Sequence, residues 1–357
     1  LTSLLSYLPA LGLGTAGGLV AWGLGLPLPW MLGALFATMI ASVAGLRIQG
    51  PNAIRPAVVA VIGVLLGSRF APEVLGHMVT WIGTLSLLLV YLLVVGLIIV
   101  PWYRYAGGYD WRTSFFAGMP GGLAEMIELA EAKGGKPEPV ILAHSLRIVV
   151  TISLIALWFR VIMGHDVGAG AASGAALPEW REAGLLLAAA IFGSLTGRAL
   201  NWPAPTFLGP MALSAALHLS GISEAAPPAV LVNAAQVILG TVLGCRFRGV
   251  PLSELRKAGA LSIGSTVLVL GVALGFSHLM RILSGTSPEQ AMLALAPGGL
   301  TEMGLIALAI HADVAFVALH HVVRIIAIIV AAPVVFALFE RRLAPGGSGK
   351  GGSGDPP

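Results

Sequence analysis

Two stretches of the chain place a carboxylate three residues beyond a helix breaker. Gly118 to Ala130 reads GMPGGLAEMIELA, and Leu295 to Ala307 reads LAPGGLTEMGLIA. Both contain Pro-Gly-Gly-Leu-x-Glu-Met, with Glu125 in the first and Glu302 in the second. Downstream of each stands His-x-x-Arg: His144 with Arg147, then His321 with Arg324. Proline removes a helix hydrogen bond and Gly-Gly loosens the backbone, so a helix entering either stretch must stop and restart. The restarted helix presents bare N–H groups and a positive dipole end, which is anion-binding chemistry. Pro120, Gly121 and Gly122, with Pro297, Gly298 and Gly299, are therefore candidate binding positions.

Each Glu falls in the first turn of the restarted helix. It either compensates the dipole as a cap or serves as a protonatable group that couples proton movement to a solute. Glu128 and Glu131 have Leu305 and Leu308 as counterparts, which suits a solvated helix face. Arg147 and Arg324 lie roughly 10–15 Å into their segments at ~1.5 Å per residue. Each His precedes its Arg by one turn and shares its face. An Arg at such depth normally faces a partner or a cavity, so it either pairs with a Glu or holds a substrate anion. His144, His320 and His321 are proton-shuttle candidates or packed, hydrogen-bonded side chains. Asn233 and Gln236, one turn apart in VNAAQVI, either line a path or bond between helices.

The elements that position these groups are membrane helices. Of the residues, 57% are hydrophobic and 10% charged, about half the charged share of a soluble chain. Met78 to Tyr103 carries no charge, longer than the roughly 20 residues that span a bilayer. A single Cys245 excludes a disulfide framework and a cysteine-built metal site, and no metal or other cofactor is expected. No basic run interleaved with aromatics suggests nucleic acid as a partner.

Self-similarity covers most of the chain. Leu26–Phe36 matches Asn201–Met211 through Pro27/Pro203, Pro29/Pro205 and Gly33/Gly209, and Gly63–Phe70 matches Gly240–Phe247. Pro120–Arg147 and Pro297–Arg324 align without a gap. Apolar segments are expected near 8–24, 30–45, 56–69, 78–102, 113–131 and 140–163, then near 183–199, 205–220, 229–246, 258–280, 290–310 and 314–339. If every segment crosses, loop Lys and Arg divide almost evenly between the two sides. If the fifth segment of each copy enters and returns, all but Arg69, Arg160, Arg181 and Arg281 gather on one side, as cytoplasmic loops should. The expected fold is thus an all-α polytopic membrane protein. It has two homologous inverted repeats, each of about five crossings plus one interrupted or re-entrant half-helix. Their bounds are 1–165 and 183–342, with a linker at 166–182 and a flexible tail at 343–357.

The duplicated Pro-Gly-Gly-Leu-x-Glu-Met with its downstream His-x-x-Arg resembles the AbrB-type integral membrane family of bacteria. Members of that family also carry ammonia monooxygenase and regulator labels. The likeness runs to about residue 342 and rests on Pro120–Glu125, His144, Arg147, Pro297–Glu302, His321 and Arg324. The family is similar to the cation/proton antiporter and anion-transporter superfamily, which implies inverted repeats with interrupted helices meeting at the centre. This chain has one more segment per copy than that pattern.

An inner-membrane secondary transporter is the leading expectation, proton-coupled and moving a small solute, with an anion favoured. Its partners are the bilayer, the solute and protons, and a homo-oligomer stays open. A membrane sensor or assembly protein without transport is the alternative. An enzyme is not expected: an oxygenase needs clustered His and carboxylate ligands, and neither H-E-x-x-H nor G-x-S-x-G is present.

Overall fold

A computed structural model of the chain describes residues 5–70, 76, 80–165, 167 and 178–343. The expected linker and tail fall largely outside them, although helix already begins at Trp180. Described regular structure is all helical, in the order α1 (Leu8–Gly23), α2 (Pro29–Val43), α3 (Arg55–Gly67), α4 (Trp81–Pro101), α5 (Trp111–Gly118), α6 (Leu123–Ala132) and α7 (Pro137–Leu157). Then follow α8 (Trp180–Ala199), α9 (Pro205–Leu219), α10 (Ala229–Gly244), α11 (Leu252–Ser284), α12 (Pro288–Leu295), α13 (Leu300–Ala309) and α14 (Val314–Leu343). Among the described residues five helical stretches are long and apolar enough to cross a membrane: Trp81–Ala106, Pro137–Ile162, Ala229–Phe247, Leu252–Ser284 and Val314–Glu340. The protein is an all-α polytopic membrane protein.

The helices form two layers. In one, α1–α3 interlock with α8–α10, α2 against α10 and α3 against α9. Lipid tails are as apolar as leucine, so helices in a membrane associate through close packing rather than water exclusion. Glycine supplies that closeness here. A Cβ on Gly209 would collide with the Gly193 carbonyl, and one on Gly33 with the Gly17 carbonyl. Leu28 (φ 44°) and Ala204 (φ 47°) take left-handed conformations where the two Pro-x-Pro turns enter α2 and α9. Such a conformation costs about 1–2 kcal/mol for a residue with a Cβ.

In the other layer, α4 and α11 pack with α7 and α14 around two short helix pairs, α5–α6 and α12–α13. Asp110 caps α5, accepting from the Thr113 amide at 2.8 Å and the Thr113 hydroxyl at 2.6 Å. Thr113 in turn accepts from the Lys136 amide, 2.9 Å away, in the loop beyond α6. The outer ends of α5 and α6 therefore meet, and the pair is a hairpin with its tip at Met119–Gly122. Ser287 caps α12 in the same way, accepting from the Gln290 amide at 3.3 Å. Both outer helices have 8 residues and both inner helices have 10.

The ends of α14 fix its direction. Its start lies beside the start of α4, where Trp81 and Phe316 meet edge to face at 5.4 Å and His320 bonds Thr84 at 3.0 Å. Its end lies beside the start of α5, where Arg112 pairs with Glu340 at 2.9 Å and Trp111 meets Phe339 at 5.3 Å. Since α7 begins next to Thr113, α7 and α14 run in opposite directions across this layer.

Candidate functional site

A helix that stops at a break leaves its last carbonyls without partners as surely as the next helix leaves its first N–H groups. The two His-x-x-Arg pairs answer the carbonyls. His144 Nε2 lies 2.9 Å from the Phe116 carbonyl, and Arg147 donates to the carbonyls of Gly118 at 3.3 Å and Met119 at 3.2 Å. Arg147 also donates to His144 Nδ1 at 2.9 Å. In the second hairpin His321 Nε2 lies 2.9 Å from the Leu293 carbonyl. Arg324 donates to the Ala296 carbonyl, to the Gly298 carbonyl at 3.0 Å and to His321 Nδ1 at 3.1 Å. A carbonyl only accepts, so each Nε2 carries the hydrogen, and each Nδ1 accepts from its arginine. Both rings are thus held neutral in a single tautomer. They position arginine and are not arranged to relay protons.

The restarted helices α6 and α13 are capped by glycine, which has no side chain to satisfy their first N–H groups. The carboxylates lie over these ends instead. A Cβ on Gly122 would strike the Glu125 carboxylate, and one on Gly299 the Glu302 carboxylate. Glycine at both positions leaves the space in which the Glu of the first turn folds back across its own helix end.

Both hairpin tips border one cavity of about 450 Å³. Its wall contains both Pro-Gly-Gly breaks, Arg147 and Arg324, Glu125 and His144. Arg55, from the start of α3, and Arg246, from the turn after α10, are also in the wall. Arg55 is exposed, so the cavity opens at that end. Arg147 and Arg324 are 4% and 5% exposed, which places them at its closed end.

Several expected site residues stand elsewhere. Asn233 and Gln236 lie on α10, and neither belongs to the cavity wall. Glu302 and His321 are also absent from the wall. Glu302 turns back over Gly299 on a helix whose following residues, Met303 to Leu308, are packed in the core. It lies near Arg246. His321 sits behind Arg324 against α12. Of the two expected arrangements, Arg–Glu pairing is replaced by arginine–carbonyl bonds, because the hairpin tips offer carbonyls at the depth the arginines reach. His320 is bonded to the Phe316 carbonyl at 2.8 Å and to Thr84, away from the cavity. Sequence reasoning counted Arg55 and Arg246 only as loop charges. Their pairing across 191 positions leaves no local pattern to find. Among the described residues no group of three or more His, Cys, Asp or Glu gathers as metal ligands.

Known proteins resemble this chain along nearly its whole length. The family model described as transition state regulatory protein AbrB matches residues 30–340. A protein of Escherichia coli (strain K12) named "Putative regulator AbrB" is 27% identical over 329 residues, 90% of this chain and 92% of that protein. "Uncharacterized protein YhjN" of Bacillus subtilis (strain 168) is 26% identical over 362 residues, 95% of this chain and 94% of that protein.

Proposed function

The chain belongs to the AbrB family, and we propose that it is a proton-coupled secondary transporter of a small anionic solute in the bacterial inner membrane. One observation carries this reading: two helix breaks, far apart in sequence, border a single cavity with the arginines that clamp them. Paired broken segments at the centre of a bundle, with half-helix N-termini facing the solute, are the usual build of such a site. The opposite directions of α7 and α14 support two inverted repeats whose hairpins enter from opposite faces. Rocking of one layer against the other would then expose the cavity alternately. The exposed Arg55 supports a state open to the side that carries most of the loop Lys and Arg.

Glu125 is the coupling group in this reading. Its carboxylate and the solute claim the same N-terminus of α6, and a proton on Glu125 withdraws its claim. Solute and proton therefore travel together.

The test is uptake in proteoliposomes. Solute-dependent proton entry, followed with a trapped pH dye, is expected for the natural protein and is lost in Glu125→Gln. Proton entry that survives in Glu125→Gln contradicts the role of Glu125, and survival in Glu125→Gln combined with Glu302→Gln contradicts carboxylate coupling altogether. The regulator name of the Escherichia coli relative favours a second reading, a membrane sensor that binds in the same cavity. Specific binding without flux would select it.

A further inference from the structure

Arg147 and Arg324 each have one donor left over. Their terminal nitrogens are committed to carbonyls and to histidine, but the Nε–H of both is buried and has no hydrogen-bond partner among the described residues. A buried unpaired donor on a charged group is costly, roughly twice so where the missing partner would be an anion. Both arginines line the cavity between the hairpin tips, and each lies behind a glycine-capped helix end that Glu125 or Glu302 folds across and that a solute can take over. Two separate donor sets thus wait at the closed end, one per hairpin.

The charges agree with the donors. Arg55, Arg147, Arg246 and Arg324 line the wall, and two carboxylates oppose the four of them, Glu125 in the wall and Glu302 near Arg246. The histidine is held neutral by its bonds. Two buried guanidinium groups facing one space repel each other, and one singly charged anion neutralises only one of the two charges. The rest of the wall is apolar, with Leu123 and Ile127 from the first hairpin, Leu300 from the second, and Ile148 and Ile325 beside the two arginines. A compact inorganic anion leaves that surface empty. A carbon chain covers it.

We infer that the cavity recognises a short organic dicarboxylate, one carboxylate taken by the Arg147 Nε–H and the α6 end, the other by the Arg324 Nε–H and the α13 end. This rests on the anion-site reading above and names its substrate class. The volume, about 450 Å³, lies within the range of small-molecule sites.

The probe set is malonate, succinate, glutarate and adipate, each beside its monomethyl ester, with sodium sulfate and chloride as inorganic anions. Binding to the full-length protein in detergent is read by calorimetry and by thermal shift. At least one diacid is expected to bind about tenfold or more tighter than its own monoester and than sulfate. In Arg147→Lys and Arg324→Lys, where no Nε–H remains, that preference should collapse toward unity even if the diacid still binds. Should a lysine variant fail to fold, the diacid-to-monoester ratio of the natural protein decides alone. Equal affinity for diacid and monoester, tighter binding of sulfate, or no binding of any diacid overturns the proposal. Diacid binding without proteoliposome flux would defeat the transporter and leave this inference standing. Proton-coupled flux of another solute, with no diacid bound, would do the reverse.

Discussion

The two hairpins are built to one plan and used differently. In each, arginine and histidine hold the carbonyls of the inbound helix while the outbound helix presents its N-terminus to the cavity. The first hairpin keeps Glu125 in the cavity wall and turns Glu128 and Glu131 toward solvent. The second is packed: Met303 to Leu308 are buried and Glu302 is outside the wall. Tyr91 adds a bond to the second hairpin alone, donating to the Leu295 carbonyl at 3.0 Å. The equivalent carbonyl in the first, that of Gly118, is held by Arg147 at the longer distance of 3.3 Å. The difference teaches that identical motifs take unequal roles in one conformation, one hairpin braced and the other accessible. Alternating access by two like halves requires such inequality at any instant.

Removing the clamps should give the largest effect and break the comparison most sharply. Arg324→Ala strands two carbonyls and the His321 acceptor, at about 1–3 kcal/mol for each buried group left unpaired. Arg147→Ala strands an equivalent set, but beside α6, which is less buried than α13, so water can reach it more easily. Thermal unfolding in detergent should place Arg324→Ala well below Arg147→Ala. The reverse order would mean that the second hairpin is not the braced one.

Alanine at the capping glycines comes next. Gly299→Ala forces Glu302 off the end of a helix whose next residues are buried, whereas Gly122→Ala displaces Glu125 into the cavity it lines. The first should lower stability by more, about 1–3 kcal/mol by the cost of overpacking. The second should chiefly damage proton-coupled flux. Equal losses of stability would remove the distinction.

Tyr91→Phe deletes the single added bond, worth about 0.5–1.5 kcal/mol. Amide exchange should rise in α12 and leave α5 unchanged. A change in α5 instead would place the brace elsewhere.

The caps offer the smallest effect, sorted by pH. Burial pushes the Asp110 carboxyl up, but hydrogen bonds from the Thr113 hydroxyl and amide outweigh it and hold the group below its ordinary value. The folded value is depressed, so the stabilisation is present above the ordinary aspartate range and fades as pH falls through the folded value. Ser287, capping the second hairpin, does not titrate. Asp110→Ser should cost little, within the roughly 1 kcal/mol worth of a cap, and should flatten the acid limb of the stability profile. An unaltered acid limb would show that the first hairpin owes nothing to this carboxylate.

Much of this arrangement was legible in the sequence. Pro120 and Pro297 announced the breaks because proline cannot continue a helix. The loop charges favoured a fifth segment that enters and returns, in keeping with the bond from Lys136 to Thr113 that closes the first hairpin. What escaped was the other half of each break. The bare N–H groups of α6 and α13 are marked in the sequence, but the carbonyls where α5 and α12 end and in the break beyond, which are the partners of the arginines, are not. Tyr91 and Leu295 are 204 positions apart, and no periodicity marks such a pair. The roles of Glu125 and Glu302 looked interchangeable because their motifs match. Their surroundings come from other helices and separate them.

The account turns on the two hairpins entering from opposite faces, and labelling tests this directly. Cys245 is replaced, a single cysteine is placed at Lys136 or at Asp313, and intact cells are treated with a membrane-impermeant maleimide. The account predicts labelling at Asp313 and protection at Lys136, with both labelled once the membrane is opened. Labelling of both positions in intact cells, or of Lys136 alone, would contradict it.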